Sequence, residues 1–386
     1  FISALLRAIT ATLSPLLTLE FNLTAGDLGL LAGGYFLGFA SMQIPLGYLL
    51  DKHGPKKIVS SFLLIAIIGT AAFAFAENFS SLLISRILIG VGVSACLMAP
   101  LTGYRIWFAD KYQQRANAWM LMVLSMGFVF STLPVQILLP IIGWRWIFGL
   151  IAILIFFVII LTSFFIPSWD TEVKNHKEQN VGSLSDVWKN KFFRSTIPLG
   201  LFNYGGMVAI QTLWAGPWMV RVAGYTALQS ATGLFWINIT MLVAFFLFGY
   251  ILPKITKLGL ESMKLMKIGL PISYLSLFVI IISGESAGAV HFTIYLLTSI
   301  VLTLTQPAVA LSFPTSLAGK SLTSFNLLIF VGTFIMQWGI GLIIDLSQNL
   351  GKSEVVSFQI SFFVYLLICI FSYLYFILKN KNLVNE

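Results

Sequence analysis

Two arginines lie inside stretches of sequence that are otherwise almost entirely apolar. Arg7 falls within residues 1–20 and Arg86 within residues 79–106, and neither has an Asp or Glu at a matching depth. A guanidinium group binds carboxylates and other anions through paired, charge-assisted hydrogen bonds, and an uncompensated one in apolar surroundings is costly. We therefore predict that both arginines bind an anionic substrate. For Arg7, snorkelling of the side chain to the nearer aqueous face is the alternative.

Polar and aromatic side chains in similar stretches could complete a pocket around such an anion. The candidates are Tyr35, Asn203, Gln211, Trp214 and Gln306. Polar groups are expensive to leave unpaired in hydrocarbon, so they should face a cavity or another helix. Each of these residue types also commonly joins helices or fills space between them, and the sequence leaves both roles open.

A short charged run separates two apolar stretches of about twenty residues each, which makes it the loop of a membrane hairpin. It reads Gly47-Tyr48-Leu49-Leu50-Asp51-Lys52-His53-Gly54-Pro55-Lys56-Lys57. Gly47 and Gly54 would permit close approach and a tight turn there.

The composition predicts that membrane helices position all of these residues. Of the 386 residues, 58% are hydrophobic and 10% are charged, with a mean hydropathy of +0.93. Soluble domains carry about 25% charged residues, and a membrane span needs about 20 apolar ones. We expect twelve spans near residues 1–20, 27–50, 58–76, 79–106, 115–141, 145–166, 197–221, 229–252, 264–283, 289–314, 322–346 and 355–378.

The distribution of basic residues predicts the orientation. Most of the 23 Lys and Arg residues fall on one side of the twelve-span arrangement, whereas Arg145, Arg221 and Lys352 fall on the other. Loops rich in Lys and Arg stay on the cytoplasmic side, so both termini should be cytoplasmic. The net charge of +9 therefore indicates membrane topology and no nucleic-acid partner.

The longest polar stretch divides the spans six and six and predicts the domain organisation. It runs from Pro167 to Arg194. We expect a six-helix bundle at 1–166, a cytoplasmic linker at 167–196 and a second six-helix bundle at 197–386. The linker should contain a short interfacial helix with Trp188, Phe192 and Phe193 facing the membrane.

Two of these motifs resemble signatures of the major facilitator superfamily. The charged run is similar to its loop between helices 2 and 3, and Arg86-Ile87-Leu88-Ile89-Gly90-Val91-Gly92 is similar to its helix 4 motif. The resemblance implies an all-α integral membrane protein with twelve transmembrane helices in two pseudo-symmetric six-helix bundles. It also implies that helices 1, 4, 7 and 10 line a central cavity, in which Arg86 could serve helix packing or proton coupling instead of substrate binding.

The same resemblance assigns the charged run a gating role. The gating residues here are Gly47, Asp51, Lys52, Gly54, Lys56 and Lys57. Asp51 is expected against the start of helix 11, near Ser321, where a carboxylate gains from the helix macrodipole and the free backbone N–H groups.

Several strings resemble one bacterial branch of the superfamily that is loosely grouped with nitrate and nitrite porters. They include Leu213-Trp214-Ala215-Gly216-Pro217-Trp218 and Gly143-Trp144-Arg145-Trp146. The nitrate signature itself is absent, since spans 2 and 8 have no Arg before their cytoplasmic ends. Nitrate is therefore not the expected substrate.

The resulting functional prediction is a secondary active transporter in the bacterial inner membrane. Its cargo is expected to be a small polar metabolite, most simply an organic anion, moved by rocker-switch alternating access with protons as the coupling ion. An exporter of amphipathic compounds, such as drugs or siderophores, is the alternative. The sequence has no nucleophile–base pair, phosphate loop or metal-ligand set, so no enzyme, cofactor or metal site is predicted. The expected partners are the substrate and the bilayer, with the protein acting as a monomer.

Overall fold

A computed structural model describes residues 1–167, 183–257 and 262–380, and every regular element in these ranges is helical. The helices are α1 (Ile2–Phe21), α2 (Ala25–Ser41), α3 (Gln43–Ala74), α4 (Phe79–Val93), α5 (Ala95–Trp107), α6 (Asp110–Phe130), α7 (Leu133–Phe165), α8 (Leu184–Lys189), α9 (Lys191–Pro198), α10 (Gly205–Ala209), α11 (Ala215–Arg221), α12 (Ala227–Lys257), α13 (Ser262–Ser283), α14 (Ala289–Thr298), α15 (Thr305–Leu311), α16 (Thr315–Asn349) and α17 (Glu354–Lys379). The predicted all-α class is confirmed.

Within the described ranges, nine helical stretches are long and apolar enough to cross a membrane. This number is smaller than the twelve spans expected from the sequence because the ends of the helices do not coincide with the ends of the expected spans. Span 2 combines α2 with the first part of α3, and span 5 combines α6 with the first part of α7. Span 7 is divided among several short helical segments that follow one another without a loop.

Two glycines mark where the chain turns inside α3 and α7. Gly54 has φ 75° and ψ 161°, and Gly143 has φ 75° and ψ 160°. A side chain with a Cβ rarely adopts positive φ, so glycine is the residue these turns require. The tight turn predicted at Gly54 is confirmed.

Span 7 contains two π-helical turns. The π-helical turns Leu199–Tyr204 and Ile210–Trp214 alternate with α9, α10 and α11. A π turn accommodates an extra residue, and such turns are frequent at functional sites. Asn203, Gln211 and Trp214 all lie in these two turns.

The described residues group into two compact units, and the boundary between the units falls within α1 and within α2. Unit 1 comprises residues 1–9 and 34–167, and unit 2 comprises residues 10–33, 183–257 and 262–380. The predicted bundle boundaries at 166 and 197 follow the span count and stay predictions.

Unit 1 is packed through aromatic rings and small residues. Phe73 of α3 stacks on Phe148 of α7 with ring centroids 4.2 Å apart, and Trp144 meets Phe73 edge-on at 5.6 Å. The backbones of α2 and α4 also touch, since a Cβ on Gly90 would lie 2.0 Å from the carbonyl oxygen of Tyr35. Such contacts between small residues are how membrane helices approach closely.

Unit 2 has its core around Trp214 and Trp218, both fully buried. Trp218 packs against Phe362 with ring centroids 4.7 Å apart. The chain expected to form an interfacial helix forms α8 and α9 instead. Phe193 is fully buried and packs edge-on against Trp188, so the expectation that it faces the membrane is wrong. The aromatic residues of this stretch were identified from the sequence, but the Phe193 side chain packs within the protein.

Candidate substrate-binding site

Arg7 projects from α1 into a group of aromatic rings in unit 1. Its guanidinium carbon lies 5.4 Å from the ring centroid of Phe39 and 5.9 Å from those of Tyr35, Phe36 and Phe128. The residue is 9% exposed. Aromatic faces attract cations, most strongly where water is excluded, so these rings hold a charge that the membrane interior would otherwise disfavour.

Arg86 occupies a different environment, fully buried between α4 and α1. Its Nη1 donates a hydrogen bond of 2.7 Å to the carbonyl oxygen of Leu6, the residue before Arg7. Its Nε and Nη2 are buried and have no hydrogen-bond partner among the described residues. Arg86 thus positions the backbone next to Arg7 and adds a second positive charge nearby.

Tyr35 connects the two arginines. Its ring centroid is 5.9 Å from the guanidinium carbon of Arg7 and 5.3 Å from that of Arg86. The hydroxyl donates to the carbonyl oxygen of Ser3 at 2.9 Å and accepts from the Ser3 hydroxyl at 2.9 Å. The two hydrogen bonds hold the Tyr35 ring in place. Because this ring lies close to both guanidinium groups, the predicted residues Arg7, Arg86 and Tyr35 form one cluster.

Beside this cluster lies a cavity of about 720 Å³ within unit 1. Ligand pockets commonly measure about 300–1,000 Å³, so it could hold a small metabolite. Its walls come from α1, α5 and α6, and they comprise Phe1, Ser3, Arg7, Cys96, Leu97, Tyr104, Phe108, Tyr112, Arg115, Ala116, Trp119, Met120, Val123 and Leu124. Arg7 lines it, whereas Arg86 and Tyr35 stand behind Arg7 and do not.

The chemistry of the lining is cationic and aromatic. Among the described residues that line it, the charged side chains are Arg7 and Arg115, and none is Asp or Glu. Arg115 lies 5.7 Å from the ring centroid of Trp119, one helical turn further along α6. Such a wall suits a solute with an anionic group, which an arginine binds, and a flat apolar body, which the rings contact.

The sequence did not predict the part of this wall that α6 supplies. Span 5 was expected to begin near residue 115, but α6 begins at Asp110, which places Arg115 more than a turn inside the helix. Charged residues around position 110 favoured a loop. The signal that could have identified the wall is the four-residue spacing of Tyr104, Phe108 and Tyr112, followed by Arg115 and Trp119.

In unit 2, two of the predicted binding residues are buried and already paired. Asn203 is 2% exposed, accepts from the Tyr274 hydroxyl at 2.7 Å and donates to the Cys369 carbonyl oxygen at 3.3 Å. The Trp214 indole N–H donates to the Gln337 carbonyl oxygen at 3.1 Å, and its ring is fully buried. These contacts give both residues a role in joining helices.

The other two predicted residues of unit 2 form half-buried amide pairs. Gln211 donates to the Asn238 side-chain oxygen at 3.2 Å, and Gln306 donates to that of Asn326 at 2.7 Å. None of these hydrogen bonds joins two of the four predicted residues of unit 2. Their assignment to substrate binding stays a prediction.

The predicted gating run lies at the surface of unit 1. Asp51, Lys52 and Lys57 are exposed and Lys56 is half-buried, with the Lys52 ammonium 5.7 Å from the Tyr48 ring centroid. No described atom lies within 4 Å of a Cβ built on Gly47, and the close approach expected at this residue stays a prediction.

A family model described as Major Facilitator Superfamily matches residues 1–337. The chain belongs to this superfamily. The predicted recognition is therefore confirmed, and with it the expectation of a multi-pass membrane protein, which the apolar helices independently support.

Curated relatives of this superfamily member are distant and match part of their length. A probable sulfoacetate transporter of Cupriavidus necator is 23% identical over 245 residues, covering 60% of this chain and 57% of the relative. A putative niacin/nicotinamide transporter of Bacillus subtilis is 24% identical over 247 residues, covering 62% of this chain and 60% of the relative. The alignments thus span less than two thirds of either relative.

Solved structures share the fold over nearly the whole chain. A D-xylose–proton symporter has a TM-score of 0.77 at 13% identity, covering 97% of this chain and 95% of that one. A bacterial homologue of the human lysosomal transporter Spinster, in an inward-facing and unoccupied conformation, has a TM-score of 0.72 at 15% identity, covering 98% and 95%. The predicted fold class, the twelve-helix arrangement of the superfamily, is confirmed.

Proposed function

We propose that this protein is a secondary active transporter that moves a small organic anion across the bacterial inner membrane by rocker-switch alternating access. The observation that carries the proposal is the position of Arg7, which lines a cavity of about 720 Å³ together with Arg115, with no acidic residue among the described lining residues. The names of two relatives, the sulfoacetate transporter and a probable L-galactonate transporter of Escherichia coli, refer to organic anions and support this class.

Arg7 is the residue assigned to bind the anionic group. The rings around it exclude water, and a charge-assisted hydrogen bond is worth more where water is excluded. Arg86 holds Leu6 and thereby the neighbouring backbone, so we assign it a positioning role. Tyr35 fixes the relative position of the two arginines and is the third member of the site.

Proton coupling and orientation complete the proposal. The excess of Lys and Arg in the loops on one side favours cytoplasmic termini. Uptake into proteoliposomes with and without an imposed pH gradient tests coupling. Uptake driven by the gradient and abolished by a protonophore supports proton coupling, whereas uptake that requires a counter-anion inside the vesicle and ignores the gradient supports exchange.

Export of amphipathic compounds is the second candidate, because aromatic and apolar side chains make up most of the cavity wall. Phe108, Trp119 and Met120 would suit a lipophilic solute without any charge. The two candidates differ in what they require of Arg7, which only an anionic ligand needs.

A thermal-stability panel on the purified protein separates the two candidates. The panel contains anionic, zwitterionic, cationic and lipophilic compounds, and a ligand at 100 times its Kd stabilises a protein by about 2.7 kcal/mol. Anions should stabilise the parent and the Arg145→Gln control, since Arg145 stacks on Trp144 and is not a lining residue. They should not stabilise Arg7→Gln. Stabilisation by lipophilic compounds alone, unaffected by Arg7→Gln, would replace the anion proposal with export.

A further inference from the structure

The end of α16 is joined to the beginning of α2 by a carboxylate. Asp345 accepts a hydrogen bond at Oδ1 from the backbone N–H of Ala25, at 2.9 Å, and one at Oδ2 from the backbone N–H of Gly26, at 2.8 Å. Both helix segments belong to unit 2. We call this contact the Asp345 clasp. Both oxygens of the carboxylate are used, and the macrodipole of α2 adds to the attraction.

The start of α2 has its own local cap, so the clasp is not needed to end the helix. The Thr24 hydroxyl accepts from the Asp27 N–H at 3.1 Å, and the Asp27 carboxylate accepts from the Thr24 N–H at 3.1 Å. This reciprocal arrangement is a capping box. The N–H groups of Ala25 and Gly26 are left over, and the residue that binds them lies about 320 positions later in the chain.

Below the clasp, α2 and α16 touch through backbone and small residues. A Cβ on Gly29 would lie 2.3 Å from the Gln337 carbonyl oxygen, and one on Gly341 would lie 2.3 Å from the Ala25 carbonyl oxygen. The larger side chains of α16 at this contact, those of Phe334 and Leu342, pack against Gly33 and Gly26 of α2, which have no side chain to interlock with them. Helices in contact through small residues can separate without rearranging interlocked side chains. The clasp is the main polar contact that holds α2 and α16 together here.

The clasp lies where water could replace it. Asp345 is half-buried, unlike Gly29 and Gly341, which are covered by the opposite helix. If the helices separated, water could hydrate the carboxylate and the two N–H groups, so the hydrogen bonds would be exchanged for others and not lost. A contact of this kind is reversible, as a gate requires.

We propose that Asp345 is a gate residue, and that its clasp on α2 holds this end of the transport pathway closed. The orientation predicted from charge makes this the outer end. Asp345 would be the counterpart, at the other end of span 2, of the role that the family resemblance implies for Asp51. The proposal rests on alternating access, as part of the proposed function, but it does not depend on which solute is carried.

The test measures the separation of α1 and α16 at the clasp end without any substrate. Spin labels are attached at Leu19→Cys and Leu350→Cys, which are 80% and 71% exposed. The background carries Cys96→Ser and Cys369→Ala, and distances are recorded by pulsed electron paramagnetic resonance. Asp345→Asn places an NH₂ group where an N–H needs an acceptor. We expect the ratio of long to short separations to rise about tenfold.

The matched control is Asp27→Asn, which removes a carboxylate from the same helix end. Its side-chain oxygen can still accept from the Thr24 N–H, a hydrogen bond made within the beginning of α2 and not to α16. The control should keep the parent distribution. An unchanged distribution in Asp345→Asn, or an equal shift in Asp27→Asn, would overturn the proposal.

A second variant keeps the test decisive if Asp345→Asn does not fold. Ala25→Pro removes one of the two clasped N–H groups at the first position of the helix, where proline is well tolerated. It should shift the distances in the same direction, and an unshifted distribution would refute the clasp. Since no substrate is present, failure here is distinguishable from failure of the anion panel.

Discussion

In unit 1 the buried polar groups at the site are arginines resting on aromatic rings, whereas in unit 2 they are amides and hydroxyls that bond one another. Arg86 keeps two buried nitrogens without a hydrogen-bond partner among the described residues. Asn203, by contrast, has both its donor and its acceptor used. Unsatisfied buried donors cost stability, whereas satisfied ones do not carry that cost. We therefore propose a functional role for Arg86, which positions the backbone beside Arg7, and a packing role for Asn203.

The largest effect is expected from Arg7→Gln. If Arg7 binds the anionic group, this variant loses a charge-assisted interaction in a water-poor site, and affinity for a stabilising anion should fall about 100-fold. Calorimetric titration measures the change. Arg145→Gln is the matched control and should bind as the parent does. Parent-like affinity in Arg7→Gln would remove the distinction between the two units.

In unit 2, Asn203→Ala should affect stability and not binding. It leaves the Tyr274 hydroxyl buried without its acceptor, which should lower the free energy of unfolding by about 2 kcal/mol. Tyr274→Phe removes the other partner, and the double variant should cost less than the sum of the two. Denaturant titration in detergent measures all three. Lost anion affinity with unchanged stability would instead place Asn203 in the binding site.

Arg86→Met sharpens the comparison inside unit 1. Replacing a buried charge by an apolar side chain of similar size is often neutral or stabilising, so thermal stability should not fall. Anion affinity should fall about tenfold, because the backbone beside Arg7 loses the bond to Leu6 and the site loses a positive charge. A variant that unfolds more easily yet binds normally would show that Arg86 serves packing alone.

The smallest effect is expected from Arg115→Gln. Arg115 lines the same cavity as Arg7 but is exposed, so water and salt screen its charge. Affinity should fall about threefold at low salt and by less at high salt. Titrations at two ionic strengths measure this. A loss as large as that of Arg7→Gln would move the anion to the α6 side of the cavity.

The helices were predictable from the sequence because hydrophobic length and charged loops determine them. The glycine at position 54 predicted the turn found there, and the apolar neighbours of Arg7 in the sequence predicted its burial. Arg115 was missed because the charges around it were interpreted as a loop, although the helix begins five residues earlier. Composition predicts the existence of a membrane span more reliably than the residues at which the span begins and ends.

What could not be predicted depends on which face of a helix meets which neighbour. Trp214 was a reasonable pocket residue by type, but its ring is buried against Phe358. The π-helical turns of span 7 depend on tertiary packing, such as the contact of Gly205 with Gly332. The clasp of Asp345 joins residues about 320 positions apart, and no local pattern indicates such a contact.

The most direct test of the account uses the native Cys96, which lines the cavity and is half-buried, while Cys369 is buried and only 2% exposed. The rate at which a small maleimide alkylates Cys96 is measured with and without an anion that stabilises the protein. We predict that the anion slows alkylation in the parent and in Arg145→Gln, and has no effect in Arg7→Gln. An anion that stabilises the parent but leaves the Cys96 rate unchanged would contradict the assignment of this cavity as the binding site.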